Sequence, residues 1–146
     1  MISQAIEILM VEDNPGDVEL TREALSNGKL RNRLHVVEDG EMALDFLYQQ
    51  GGYEDAPRPD LILLDLNLPK LNGREILAEV KSNKDLAAIP IIVLSSSEDA
   101  QDIQQSYALN ANSFVTKPVK IKDFLSVTQA IEHFWIEIVK LPSGKN

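Results

Sequence analysis

Five polar side chains stand directly after apolar segments of this chain, which has 146 residues. They are Glu12, Asp13, Asp65, Ser95 and Lys117. Carboxylate oxygens are ligands that Mg²⁺ prefers in proteins, and a carboxylate can attack a phosphoryl group when the developing charge is stabilised. If the fold brings these side chains together, their types indicate a magnesium site beside an aspartate that takes up a phosphoryl group.

The charges of this set suit such a site. Three carboxylates at close range repel one another, and a bound Mg²⁺ together with Lys117 brings the total charge to zero. Phosphorylation of Asp65 would replace one negative charge with roughly two. A hydrogen bond from Ser95 to the added oxygens is worth about 1.5–3 kcal/mol, whereas inverting a conformational ratio of roughly 1:99 takes about 5.5 kcal/mol. We therefore expect Lys117, backbone amides and a repacked aromatic side chain to contribute as well.

Each of these residues has a simpler interpretation when it is taken alone. An acid after a strand is often only the cap of the next helix, which is the favoured interpretation of Asp13 by itself. Ser95 alone would be a turn residue, and Lys117 with Pro118 would belong to a surface loop. The position that all five share, each after an apolar segment, favours a common site.

Apolar segments alternate with segments of helical periodicity along the chain. Predicted strands cover 6–11, 34–37, 61–64, 89–94 and 113–116. Predicted helices end near Asn27 and cover 41–50, 74–82, 98–110 and about 121–139. This alternation with short connections indicates an α/β protein, in which helices cover both faces of a parallel sheet. With the strand order 2-1-3-4-5, the first and third strands would bring Glu12, Asp13 and Asp65 into one crevice.

Composition excludes several kinds of site. The net charge of −9 argues against nucleic acid as the main ligand, because neutralising phosphates needs a basic surface. The absence of cysteine excludes disulfides, zinc–thiolate sites and a cysteine nucleophile. No signal peptide is visible, and the longest uncharged apolar stretch, Leu86 to Ser97, is far shorter than the roughly 20 residues of a membrane span. We expect a cytoplasmic protein of one domain.

Four motifs together resemble the receiver domain of two-component response regulators, over roughly residues 6–130. They are Glu12-Asp13, Asp65 with Pro69 and Gly73, Ser95, and Lys117-Pro118. The resemblance implies a flavodoxin-like (βα)5 three-layer sandwich with sheet order 2-1-3-4-5, and a single receiver domain over 1–146. It implies that Asp65 accepts a phosphoryl group from the phosphohistidine of a sensor histidine kinase. Such a protein is a signalling phosphoacceptor that promotes its own phosphorylation and dephosphorylation, and we do not expect an enzyme.

The same resemblance assigns roles to the site residues. The implied Mg²⁺ ligands are Glu12, Asp13, Asp65 and the main-chain carbonyl of Asn67. Ser95 would be the switch hydroxyl, which is more often Thr in the family. Phe114 would be the switch aromatic, which is often Tyr in the family and here has no hydroxyl. Phosphorylation would then control the protein contacts of this domain.

A narrower resemblance concerns the segments Ser95–Asp99 and Ser106–Asn112, the pair Phe134-Trp135 and the long loop Tyr53–Pro59. Together they are similar to single-domain regulators that are paired with cyanobacterial phytochrome kinases. The resemblance implies a phytochrome histidine kinase as partner and a role in light signalling. Because no effector domain follows in this sequence, we expect the output to be protein contact, phosphoryl relay or competition for the kinase.

The last predicted helix and the tail, about 131–146, carry more apolar surface than one core needs. On a helical wheel a stripe well over 100° wide is formed by Phe134, Trp135, Ile138, Val139 and Leu141. The surplus predicts a homodimer through this helix and extension, and the alternative is that these residues fold back on the same molecule. We expect neither DNA nor a membrane as a partner.

Three other functions fit parts of the pattern. A phosphatase of the haloacid dehalogenase type would need an aspartate where Asn67 stands, and a cap domain. A flavin carrier of the same fold would need Ser, Thr and Gly in the first loop, where Glu12-Asp13-Asn14-Pro15 would repel phosphate. A receiver-like scaffold that is never phosphorylated stays open. His35 and His133 do not follow predicted strands, so we predict no histidine metal site or triad.

Overall fold

The computed structural model describes residues 5–26, 31–66, 73–95 and 113–116, with the backbone alone at Ala24, Ser95 and 113–116. The strands are β1 (Ile6–Val11), β2 (Asn32–Val37), β3 (Leu61–Asp65), β4 (Ile91–Ser95) and β5 (Ser113–Thr116). The helices in these ranges are α1 (Pro15–Ser26), α2 (Gly40–Tyr48) and α3 (Gly73–Ser82). None of these three helices is long and apolar enough to cross a membrane.

The five strands form one parallel sheet in the order β2-β1-β3-β4-β5. This confirms the predicted α/β class and strand order. Val11 at the end of β1 lies opposite Val37 of β2 and Leu64 of β3. The chain leaves β1 toward β2 on one side and reaches β3 on the other, so the sheet has its topological switch point between β1 and β3.

Apolar side chains cover both faces of this sheet. On one face, Leu9, Val11, Ile62 and Leu64 pack with the buried side chains of α2 and α3. On the opposite face, alternate residues of the same strands pack with two side chains of α1. The strand residues are Ile8, Met10, Leu61 and Leu63, and the helix residues are Val18 and Leu25. Because both faces are covered, every residue of β3 is buried, and this explains its unbroken apolar sequence up to Asp65.

Helix α2 has a start that the sequence makes visible and an end that it does not. The Asp39 carboxylate accepts a hydrogen bond from the Met42 N–H at 2.8 Å and caps the helix. The helix ends at Tyr48, two residues before the predicted end, because Gln49 adopts the left-handed conformation with φ 56°. The glycine pair Gly51-Gly52 comes only after that turn.

Two strands begin at residues other than the predicted ones. β2 begins at Asn32, two residues early, because Asn32 is already in register with Ile6 of β1. β4 begins at Ile91 and not at Ile89, because Pro90 has no N–H for the ladder and the Ile89 N–H donates within a turn. The predicted helices over 98–110 and 121–139 lie outside the described residues.

Candidate functional site

Three carboxylates meet at the topological switch point of the sheet, between β1 and β3. Donor oxygens of Glu12, Asp13 and Asp65 all lie within 4.8 Å of one another. The sheet itself brings them together, because Val11 and Leu64 are register partners and the acids follow directly in each strand. The crevice predicted from sequence between the first and third strands is thus where these side chains meet.

The members of this cluster differ in their exposure to solvent. Glu12 and Asp65 are buried, with 1% and 3% of their surface exposed, whereas Asp13 is exposed. The Glu12 N–H continues the sheet by donating to the Val37 carbonyl at 2.9 Å, and its carboxylate accepts a hydrogen bond from the Asn14 N–H at 3.1 Å. The backbone and the side chain of Glu12 are therefore both held in place.

Asp13 does not cap the following helix. The cap of α1 is Asn14, whose side-chain oxygen accepts a hydrogen bond from the Asp17 N–H at 3.0 Å. The Asn14 carbonyl also accepts from the Val18 N–H at 3.1 Å, which closes the first helical turn. The simpler interpretation of Asp13 as a helix cap is therefore wrong, and its carboxylate belongs to the acidic cluster.

The electrostatics of this cluster favour a cation. Two unit charges about 4.8 Å apart repel by roughly 3.5 kcal/mol at an effective dielectric constant of 20. Burial of Glu12 and Asp65 keeps bulk water from screening this repulsion fully. The donors are all carboxylate oxygens, the hard ligands that suit a divalent cation such as Mg²⁺ or Mn²⁺ and do not select soft metals. The donor set therefore fits a divalent metal.

The end of β3 is fixed on two sides, so the Asp65 backbone has a defined position. Leu66 is the first residue after β3, and its N–H donates a hydrogen bond to the Leu94 carbonyl of β4 at 3.1 Å. The Leu66 carbonyl accepts a hydrogen bond from the Gly73 N–H, the first residue of α3, at 3.2 Å. The start of α3 is therefore tied to the end of β3.

The other predicted site residues are described in part or lie outside the described residues. The backbone of Ser95 ends β4 opposite Thr116 of β5, at the same edge of the sheet as Asp65. Phe114 of β5 is the register partner of Val93, and its backbone alone is described. Asn67 and Lys117 lie outside the described residues.

A second ionic group, which was not predicted from the sequence, lies at the opposite end of β1. The Glu7 carboxylate accepts a hydrogen bond from Arg33 Nη1 at 2.7 Å, and its other oxygen lies 2.7 Å from His35 Nε2. Burial raises the pKa of Glu7, but the hydrogen bonds from His35 and Arg33 outweigh it and leave that pKa below its usual 4.5. The sequence does contain a signal for this group, because Glu7 lies in β1 and Arg33 and His35 take alternate positions in β2. This signal predicts a contact only when the register of the two strands is known.

A parallel sheet of this order, with carboxylates at its switch point, defines an α/β protein of the receiver type. The model of the response regulator receiver domain matches residues 8–129, and the chain belongs to that family. It is therefore a signalling protein of the two-component class, whose receiver domains interact with histidine kinases. The family indicated by the sequence motifs is confirmed.

Similar proteins include regulators from cyanobacteria. Response regulator Rcp1 of Synechocystis sp. is 48% identical over 137 residues, which cover 94% of this chain and 93% of the relative. The structure of its Mn²⁺-bound form matches with a TM-score of 0.80 over 90% of this chain and 95% of that one. The phosphorylated cyanobacterial phytochrome response regulator RcpA is 45% identical, with a TM-score of 0.81 over 91% of this chain and 95% of that one. The predicted likeness to phytochrome regulators is confirmed.

Proposed function

We propose that Asp65 is the phosphoacceptor of this receiver domain and that it takes its phosphoryl group from a sensor histidine kinase. The observation that carries the proposal is the meeting of Glu12, Asp13 and Asp65 within 4.8 Å at the switch point of the sheet. Asp65 is the one among them that ends a fully buried strand, so its carboxylate is held by the sheet itself. Membership of the receiver family supports the same role.

The transfer needs one bond to form and one to break. A carboxylate oxygen of Asp65 attacks the phosphorus, and the bond from phosphorus to the kinase imidazole nitrogen breaks with its electron pair going to that nitrogen. Glu12 and Asp13, with Asp65 and the main-chain carbonyl of Asn67, would hold Mg²⁺. The bound ion would neutralise charge on the phosphoryl oxygens. Burial of Asp65 limits the contact of its carboxylate with bulk water before the transfer.

We propose Lys117, Ser95 and Phe114 as the residues that respond to the new charge. Lys117 would pair with the phosphoryl group, and the Ser95 hydroxyl would donate a hydrogen bond to it. Phe114 would repack when Ser95 moves toward the site. The positions of Ser95 and Phe114 in the sheet support this proposal, because β4 lies next to β3 and β5 lies next to β4. The switch then acts on protein contacts, and we assign no further enzymatic reaction to the domain.

We propose a phytochrome histidine kinase as the partner and the cytoplasm as the location, with neither DNA nor a membrane as a ligand. The similarity to RcpA, whose structure is that of a phosphorylated cyanobacterial phytochrome response regulator, supports this partner. We further propose one receiver domain over 1–146 that dimerises through its last helix and about 131–146. The apolar stripe in that sequence supports a second copy as the partner. A mass in solution that stays monomeric over a wide concentration range would contradict the dimer.

Intact mass after incubation with acetyl phosphate and Mg²⁺ tests the proposed function. Wild type should gain one phosphoryl group, and Asp65→Asn should gain none. The control is Asp60→Asn, which makes the same chemical change at the other end of the same buried strand. This control should be labelled as wild type is. Labelling of Asp65→Asn, or no labelling of wild type, would contradict the proposal, and the second result would favour the receiver-like scaffold.

A further inference from the structure

Gly73, the first residue of α3, is pressed against the strand end that carries Asp65. Its N–H donates a hydrogen bond to the Leu66 carbonyl at 3.2 Å. A Cβ on Gly73 would stand 2.4 Å from the Asp65 carbonyl oxygen and 2.5 Å from the Leu66 Cα, whereas real Cβ atoms essentially never come within 3.0 Å. Both contacts are with backbone atoms, so no flexible side chain can move aside.

Both sides of this contact are anchored in the core. Helix α3 is anchored in the core by three apolar side chains that have no exposed surface. They are Ile76, Leu77 and Val80. Moving the helix outward would open cavities around all three. On the other side, Leu66 is held to β4 by its hydrogen bond to Leu94, and its side chain is buried in the same core. Since neither side has room to recede, a methyl group at position 73 would force a shift of the Asp65–Leu66 peptide, whose atoms it would meet directly.

Displacing this peptide moves the Asp65 carboxylate relative to its neighbours. We infer that Gly73 is a positioning residue for Asp65, because only glycine lets α3 begin directly against the strand end. This close start keeps the Asp65 carboxylate within 4.8 Å of donor oxygens of Glu12 and Asp13, so that the three can converge on one divalent cation. The inference rests on the proposed function, in which Asp65 binds Mg²⁺ and accepts the phosphoryl group.

The test compares Gly73→Ala with Val80→Ala, a control that weakens the packing of the same helix away from the strand end. Each protein is titrated with Mg²⁺ alone by calorimetry, and the rate of phosphoryl uptake from acetyl phosphate is then measured at saturating Mg²⁺. Residues that orient metal ligands typically change metal affinity or activity by about 10–100-fold when they are mutated. We expect Gly73→Ala to bind Mg²⁺ at least about tenfold more weakly and to react at least about tenfold more slowly. Val80→Ala should match wild type in both.

The outcomes separate a positioning role from a structural one. Binding and reaction of Gly73→Ala within twofold of wild type would overturn the inference, and so would equal losses in both variants. If Gly73→Ala is unfolded in buffer, all three proteins are titrated in sucrose, which favours the compact state. If Gly73→Ala then binds Mg²⁺ in sucrose as tightly as Val80→Ala does, the inference is also overturned.

The Mg²⁺ titration distinguishes this inference from the proposed function. If wild type binds Mg²⁺ but is not labelled at Asp65, the proposed phosphoacceptor role fails. The affinities of Gly73→Ala and Val80→Ala then still decide whether Gly73 positions the metal ligand. If wild type is labelled and Gly73→Ala behaves like it, the positioning role fails and the phosphoacceptor role stands.

Discussion

Val11 of β1 and Leu64 of β3 are register partners in the parallel sheet. Because both strands run in the same direction, the residues that follow them, Glu12 and Asp65, leave the sheet side by side at one edge. A shift of either strand by one residue would turn its side chains to the other face. The apolar residues of β1 and β3 therefore fix the acidic cluster as firmly as they fix the core.

Removing one charge from the cluster should stabilise the metal-free protein. Asp13→Asn removes the exposed member, which repels two buried carboxylates within 4.8 Å. In EDTA the free energy of unfolding should rise by about 1 kcal/mol, a value typical of exposed charge interactions. Added Mg²⁺ should stabilise wild type more than Asp13→Asn, because the variant offers one ligand fewer.

Urea unfolding with and without Mg²⁺ measures both effects. The matched control is Glu23→Gln, which removes an exposed charge from α1 outside the cluster. It should leave the response to Mg²⁺ as in wild type. A fall in the stability of metal-free Asp13→Asn, together with an unchanged response to Mg²⁺, would contradict the repulsion argument.

The ionic group around Glu7 predicts a dependence of stability on pH. The folded-state pKa of Glu7 lies below its usual 4.5, since the hydrogen bonds from His35 and Arg33 outweigh the effect of burial. Its contribution is therefore present above pH 4.5 and is lost as the pH falls through the lowered value. Glu7→Gln should cost about 1 kcal/mol of unfolding free energy near neutral pH and much less in acid.

Urea unfolding of wild type and Glu7→Gln at several pH values measures this difference. Arg33→Gln is the companion variant, and it should show a smaller cost because the Arg33 side chain is 64% exposed. A cost of Glu7→Gln that stays constant from neutral pH to well below pH 4.5 would show that the carboxylate charge does not stabilise the fold.

The sequence was sufficient for those features that depend on local pattern and strand direction. An apolar run that ends on Asp65, and another that ends on Glu12, placed both acids at the same edge once a parallel sheet was inferred. The end of α2 was not predictable in this way, because Gln49 takes a left-handed conformation that is more typical of glycine.

Features that depend on contacts between distant elements required the structure. The contact between Glu7 and His35 follows from the register of β1 and β2. Leu9 lies opposite His35, so Glu7, two residues earlier on the same face of β1, lies diagonally across from His35. The role inferred for Gly73 depends on how closely α3 approaches β3, and residue type alone indicates only a turn. Sequence periodicity gives the elements and their direction, whereas these contacts depend on the distances between them.

The proposed switch predicts that Ser95 acts after phosphorylation and not during it. Ser95→Ala should be phosphorylated by acetyl phosphate to the same extent as wild type. Its lost hydrogen bond, worth about 1.5–3 kcal/mol, should reduce the change that phosphorylation causes in β5. Hydrogen exchange of Ser113–Thr116, measured with and without the phosphoryl group, detects this change. If phosphorylation changes the hydrogen exchange of β5 equally in Ser95→Ala and in wild type, Ser95 is not part of the switch.

Chemical mapping of the phosphoryl group tests the central claim most directly. Borohydride reduces an aspartyl phosphate to homoserine, so peptide sequencing by mass spectrometry after reduction identifies the residue that was modified. Protein treated with acetyl phosphate and Mg²⁺ should contain homoserine at position 65 and at no other aspartate. Homoserine at Asp13 or Asp60, or a phosphoryl group on a serine or histidine without any homoserine, would contradict Asp65 as the phosphoacceptor.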